Sequence, residues 1–359
     1  MMSTHTISQE NFAQLDDGTS IQLFTLTNCH GMIVKVIDLG GIITELHVPD
    51  KNGQFADVTL GFENVAPYCD ASPYFGALIG RFGNRIARGS FVLDEKTVQL
   101  PCNDGANHLH GGVAGFHRVK WNSIPFETTW AVGLHLTYLS ADGEQGYPGN
   151  LYVTVTYELS NANELHVHYH AVTDQATPVN LTQHAYFNLA GIQQQTSNIL
   201  GHEMMINADA YTPVNSGLIP TGSITQVTDT PFDFRVPQAI GARIDNVDQQ
   251  LGCGKGYDHN YVLNKVMPKE LSLAAKVREP ISGRVLELWT QEPGLQFYSG
   301  NFLDGSLTGK GCNYGHRSGF CLEPQHYPDS PNQASFPNVI LRPGEVYSSH
   351  SVYRFSVQA

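Results

Sequence analysis

Short apolar runs of alternating character recur along the whole chain, and nowhere does helical spacing persist for three turns. The runs at 33–37, 42–48, 134–139, 151–159, 165–172, 285–289 and 347–357 are separated by turn signals such as Lys51-Asn52-Gly53, Asp142-Gly143, Pro148-Gly149-Asn150, Ser160-Asn161 and Pro343-Gly344. Period-2 runs bounded by Gly, Pro and Asn are strands, and their even spacing predicts an all-β sandwich without the strand-helix alternation of a parallel sheet. Helical turns are expected only near 64–68 and 236–240. No linker, charge block or repeat of fixed period interrupts the pattern, so residues 1–359 are expected to form a single domain.

Composition supports a packed core: hydrophobic residues make up 41% and charged residues 15%, with 35 Gly and 19 Pro supplying turns. The formal net charge of −13 repels phosphate backbones and anionic lipid, so neither nucleic acid nor membrane is an expected partner. The first residues, MMSTHTISQENFAQLDDG, carry no basic and apolar leader pattern, and no run approaches the roughly 20 apolar residues of a membrane span. A soluble, cytoplasmic protein is expected. Cys29, Cys69, Cys102, Cys253, Cys312 and Cys321 form no CxxC pair, which fits reduced thiols better than a disulfide framework or a zinc site.

Several segments hold polar residues in patterns that chemistry can use. In TPVNLTQHAYFNLAG, residues 177–191, a strand would set Asn180, Thr182, His184, Tyr186 and Asn188 on one face. Such a face is costly to bury without a polar ligand or its own hydrogen-bond partners; a satisfied polar ladder at a sheet edge is the bland alternative. In FCLEPQHYPDSPNQ, Glu323 stands at a strand end before Pro324. Shielded from water, its carboxyl would have a raised pKa suited to a general base near neutral pH; alone it reads equally as a surface acid. Asn84 and Arg85 lie beside glycines in GRFGNRI, where a guanidinium fork can donate to sugar hydroxyls or a carbonyl, or simply face solvent. The glycines of LGCGKGYDHNYVL match no phosphate loop. His108 and His110 in NHLHGG, and His166, His168 and His170 in ELHVHYH, invite a metal reading. Neither pattern is followed at short range by a carboxylate, so no metal site is expected and the second run is read as a solvated strand face.

Taken together, the segments GALIGRFGNRIARGSFVLD, NHLHGG followed by GFHRVKW, SADGEQGYPGNL, VNLTQHAYFNLAG, GYDHNYVL, PGLQFYSGNFLDG, SGFCLEPQHYPDSPN and LRPGEVYSSHSVYRFS resemble the aldose 1-epimerase (galactose mutarotase) family from about Asp16 to about Ser356. The resemblance implies that family's large antiparallel β-sandwich with an open sugar-binding cleft, no metal and no organic cofactor. It implies that His184 is the general acid and Glu323 the general base, with Asn84, Arg85, His110, Asp258 and Gln296 binding substrate. Two positions depart from the pattern: Gly83 stands where alanine is common, and His117 where aspartate is common. The implied activity is exchange of the α and β anomers of free hexoses such as galactose and glucose by acid/base ring opening and reclosure. An aromatic such as Tyr186 or Phe297 would lie under the apolar sugar face. The sugar is the expected partner, the assembly a monomer or homodimer. Residue types alone would give a bell-shaped pH profile, with the carboxylate on the acid limb and the imidazolium on the alkaline limb. An enzyme for hexose 6-phosphates and a sugar-binding sandwich without catalysis are the rival readings.

Overall fold

The computed structural model describes residues 5–70, 72–192 and 198–358. Among these residues the chain forms three large antiparallel sheets and several two-stranded ribbons. The first sheet is a meander of Thr6–Gln14, Ser20–Thr27, Ile33–Ile37, Ile42–Pro49 and Phe55–Asp57, in chain order. The largest has nine strands, ordered Asn122–Glu127, Ala131–Ser140, Leu151–Ser160, Glu164–Thr173, Tyr347–Val357, Arg284–Thr290, Ser272–Arg278, Glu203–Ile206 and Gln238–Ala239. The third has six, ordered Tyr186–Phe187, Phe320–Gln325, Gly294–Tyr298, Asp258–Leu263, Ala208–Tyr211 and Thr225–Gln226.

Alternation decides how the sheets stack. In Leu151–Ser160 the residues Leu151, Val153, Val155, Tyr157 and Leu159 point inward, and in Glu164–Thr173 so do Leu165, Val167, Tyr169 and Ala171. They join Leu286, Leu288, Tyr353 and Phe355 in one buried cluster with Leu295, Phe297, Phe320 and Leu322 of the six-stranded sheet and Phe24, Val34 and Leu46 of the first. Burying each Val, Leu or Phe stabilises the sandwich by about 1.5–3 kcal/mol, which fixes the register: a slip by one residue would turn each inward row to the other face. The expected all-β antiparallel sandwich is what forms.

Helices are few and short. Ala66–Asp70 makes the turn expected near 64–68, whereas 236–240 becomes the strand Gln238–Ala239 followed by a tight turn at Ile240–Ala242. Gln249–Gly254 was not expected; the Asp248 carboxylate caps it, accepting from the backbone N–H groups of Gln250 and Leu251.

The segment 177–191 corrects the continuous strand read from the sequence. It breaks into Thr177–Pro178, Thr182–His184 and Tyr186–Phe187, each paired to a different partner. Local side-chain bonds replace the ladder: the Asn180 amide donates to the Gly83 and His326 carbonyls, and Gln183 Oε1 accepts from the Ala185 N–H. Asn180 and Gln183 are thereby satisfied while buried, whereas the buried Thr182 hydroxyl has no partner.

Candidate active site

The floor of the site follows from strand register. Asp258 pairs with Tyr298, Tyr298 with Cys321, and Cys321 with Tyr186; in the next row Asn260 pairs with Gln296 and Gln296 with Glu323. With a side-chain period of two, these residues share the face opposite Leu295, Phe297 and Leu322, which lie in the core. Polar groups therefore collect on one face of the six-stranded sheet while the other face supplies the apolar contacts that hold it flat against the core.

His184 comes from elsewhere. Its strand, Thr182–His184, pairs with Ala77–Ile79, and the imidazole reaches across so that Nε2 lies 3.6 Å from Glu323 Oε1. Both side chains are buried, and Glu323 Oε2 has no hydrogen-bond partner. Burial pushes the Glu323 carboxyl well above its ordinary range; the Asp258 charge adds to this and Arg85 opposes it. Burial pulls His184 down, to about 4. Burial thus favours the neutral form of both members of the pair. The Cys321 thiol stands 3.6 Å from His184 Nδ1, on the other edge of the ring.

The segment around Asn84 and the turn at His110 bring up a second wall. His110 Nδ1 accepts the Asn84 backbone N–H at 3.1 Å, so the proton of the neutral ring sits on Nε2. Burial holds His110 well below its ordinary value, with the His184 and Arg85 charges adding to the effect. Asn84 Oδ1 caps the Arg85 N–H at 2.8 Å, and Arg85 Nε donates to Asp104 Oδ2 at 2.7 Å. Close approach here needs glycine: at Gly111, with φ +81, a Cβ would stand 1.8 Å from the Gly80 carbonyl oxygen. Gly83 is less demanding, since a methyl there would meet the Asn180 carbonyl at 3.2 Å. Arg81 of the same motif is structural: its buried guanidinium donates to the carbonyls of Ser140, Ala141, Pro148 and Gly149 and so ties two turns together.

These walls enclose a cleft of about 620 Å³ whose lining includes Asn84, Arg85, His110, His184, Asp258 and Glu323. Six of the seven sequence-selected residues thus meet at one cavity. Gln296 lies beneath it, its amide donating to Asp258 Oδ1 at 2.7 Å while its own Oε1 has no partner. Burial raises the Asp258 pKa, against the pull of Arg85 and Gln296.

Phe297 does not face the cleft; it is fully buried and stacks on Tyr257 with centroids 5.2 Å apart. The period-2 signal would have chosen its neighbour, because Tyr298 shares the face of Gln296 and lines the cavity. Tyr186 does line it, with its ring 5.2 Å from that of His184. Tyr74 and Phe302, which sequence reading missed, complete the aromatic lining. Tyr74 sits 4.6 Å from His110 and 4.8 Å from His117, so the position where aspartate is common holds a buried ring packed on an aromatic. Burial lowers His117 to about 3, and its Nδ1 has no partner.

One nitrogen each from His110 and His184 and one oxygen from Glu323 lie within 4.8 Å of one another, a donor set able by type to take an ion. The same three groups, two imidazoles and a carboxyl, line the cleft together. His108, the other half of the first HxH pattern, points away and bonds the Pro101 carbonyl and the Tyr147 hydroxyl.

Comparison with known proteins places this geometry in context. The family model described as Aldose 1-epimerase matches residues 22–354. The chain is 49% identical to galactose mutarotase of Homo sapiens over 325 residues, covering 90% of this chain and 91% of that protein. It is 38% identical to aldose 1-epimerase of Escherichia coli K12 over 348 residues, 96% of this chain and 98% of that one. Among solved structures, galactose 1-epimerase of Lactobacillus acidophilus superposes with a TM-score of 0.87 at 28% identity, covering 99% of this chain and all of that one (100%).

Proposed function

This chain belongs to the aldose 1-epimerase family, and from that premise we propose that Glu323 is the base and His184 the acid with which it interconverts the α and β anomers of free hexoses such as galactose and glucose. The observation that carries the assignment is the buried His184–Glu323 pair at 3.6 Å, facing a cleft of sugar size with one carboxylate oxygen unpaired.

The proton balance follows from the pair. Ring opening moves the C1 hydroxyl proton to Glu323 while the O–H electron pair forms the carbonyl; the C1–O5 pair goes to O5, which takes the His184 proton. Rotation about C1–C2 and reclosure on the other carbonyl face run the same transfers backwards. The step begins from carboxylate and imidazolium and ends with both neutral, the state that burial favours. Burial thus favours ring opening, and the bound sugar's hydroxyls must stabilise the charged pair beforehand. Because its Nδ1 is occupied, His110 presents Nε2–H to the cleft and can steady negative charge on a sugar oxygen.

Asn84, Arg85 and Asp258 hold hydroxyls so that the open chain turns without leaving, and Gln296 acts from below by orienting Asp258. Tyr74, Tyr186 and Tyr298 offer aromatic surface to the C–H face of the ring. Among the described residues, Arg85 and Lys255 are the cations of the lining, and Arg85 is already paired with Asp104, which supports free sugars over sugar phosphates. One buried cluster running from Phe24 to Phe355 supports the single-domain reading. The six free cysteines support a cytoplasmic location, and among the described residues no helix is long and apolar enough to cross a membrane. The oligomer is read as a monomer or homodimer.

Polarimetry of freshly dissolved α-D-glucose and α-D-galactose tests the reading. Accelerated mutarotation of both above the buffer rate is expected, with the 6-phosphates turned over poorly; buffer-rate rotation with every sugar would leave only binding.

A further inference from the structure

We propose that the outer face of the nine-stranded sheet carries a divalent transition-metal site built from ring nitrogens of His166, His168 and His350. His166 and His168 project from Glu164–Thr173 on the side opposite Leu165, Val167 and Tyr169, so the hydrophobic core separates them from the catalytic cleft. His350 arrives from Tyr347–Val357, where it is the direct antiparallel partner of His168. This third residue is what the HxH pattern lacked, and chain distance hid it.

One nitrogen from each ring lies within 4.8 Å of the others, and His166 Nδ1 is 3.1 Å from His350 Nε2. The His168 and His350 rings stack with centroids 3.9 Å apart and planes 13° from parallel. Around a tetrahedral ion bound at about 2.0–2.1 Å, nitrogens stand about 3.4 Å apart, a distance that rotation of these side chains can reach. The surroundings also favour ligation. Glu164 Oε2 lies 3.1 Å from His166 Nε2, and Arg354 Nε holds the other Glu164 oxygen at 2.7 Å. His166 Nε2–H therefore donates to the carboxylate and leaves Nδ1 with its lone pair toward His350, the carboxylate–histidine arrangement that orients metal ligands. Of the neighbouring groups, Thr156 Oγ1 is engaged by His135 Nδ1 at 2.9 Å, and Glu158 pairs in register with His166 and adds negative charge. Three imidazoles suit Zn²⁺, Ni²⁺ or Cu²⁺, with water completing the shell.

Titration calorimetry of the chelator-dialysed full chain with Zn²⁺ alone tests the site. One ion per chain is expected. His168→Gln and His350→Gln should each weaken binding at least about 100-fold and Glu164→Gln about 10-fold to 100-fold, while His184→Asn leaves it unchanged. Unchanged mutarotation by His168→Gln and His350→Gln reports that they fold. Wild-type protein provides an arm free of folding effects: Zn²⁺ should protect His166, His168 and His350 from acylation by diethylpyrocarbonate, read by mass spectrometry. Absence of stoichiometric binding, binding that survives His168→Gln combined with His350→Gln, binding lost in His184→Asn instead, or no protection of these three rings would each overturn the proposal.

Discussion

His184 Nε2 stands 3.6 Å from Glu323 Oε1 although the two residues belong to strands of different sheets. The proposed chemistry rests on that meeting, and so does its most direct test. Glu323→Gln keeps the shape of the side chain but cannot accept the C1 proton, so kcat should fall by about 10²–10⁴ with KM nearly unchanged. His184→Asn should fall similarly. If the two transfers are one event, the double variant is little worse than the poorer single one; polarimetric rates that multiply the two defects would show independent roles.

The pH profile of kcat/KM should be a bell, with its limbs in the reverse of the order that residue types suggest. Because burial lowers His184 to about 4 and raises Glu323, the productive one-proton pair is lost on the acid side when His184 also takes a proton, near pH 4. On the alkaline side it is lost when the proton leaves the carboxyl. Residual activity of Glu323→Gln, measured above the buffer rate, should have no alkaline limb from the pair; an unchanged alkaline limb would falsify this account.

The same burial has a consequence for stability. With its folded pKa raised, Glu323 binds a proton in the native state that the unfolded chain has released above its ordinary carboxyl pKa. Stability is therefore unaffected below that value and falls as pH rises toward the folded pKa, by about 1.4 kcal/mol for each unit of separation. Glu323→Gln removes the effect, so at pH 7 the inactive variant should have a higher Tm than the wild type. Equal Tm values at pH 7 would mean that the carboxyl carries no such burden.

Asp258→Asn should raise KM for galactose and glucose more than it lowers kcat. Gln296→Leu should move KM in the same direction by a smaller factor, because Gln296 acts through its bond to Asp258. In the double variant the second change should add almost nothing. Additive effects would mean that Gln296 meets the sugar itself.

Arg85→Lys should lose about 10-fold or more in kcat/KM, since an ammonium cannot pair with Asp104 through Nε and still extend a second donor to the cleft. Wild-type kinetics would remove the fork from the mechanism.

Exhaustive chelation should leave the mutarotation rate intact, because protons alone carry the reaction proposed for His184, Glu323 and His110. A rate lost to chelator and restored by metal would assign an ion to that trio, whose donor atoms are close enough to hold one.

What could be read from the chain follows its physics. Period-2 runs such as 151–159 named the strands, because in-facing Val and Leu leave a pattern no helix shares. His184 and Glu323 were legible from their motifs, yet their separation of 3.6 Å was not, since it depends on pairings made far apart in the chain. Phe297 and Tyr298 show how narrow the margin is: both are aromatic, and only strict alternation from Gln296 separates core from cleft. Tyr74 and Phe302 lie in irregular segments where no period points, so only the folded chain brings them to the cavity.

The cleft divides its labour by backbone type. Glu323, Asp258 and Tyr298 rise from the middle of a sheet, whereas Asp104, Asn107, Ser216, Leu218 and Phe302 line the same cavity from connecting segments. Sheet positions cannot drift without disturbing the core beneath them, but connections can lengthen, shorten or exchange side chains at little cost to the sandwich. Substitutions on the rim can therefore alter which aldose this scaffold accepts while the proposed proton-transfer pair stays in place.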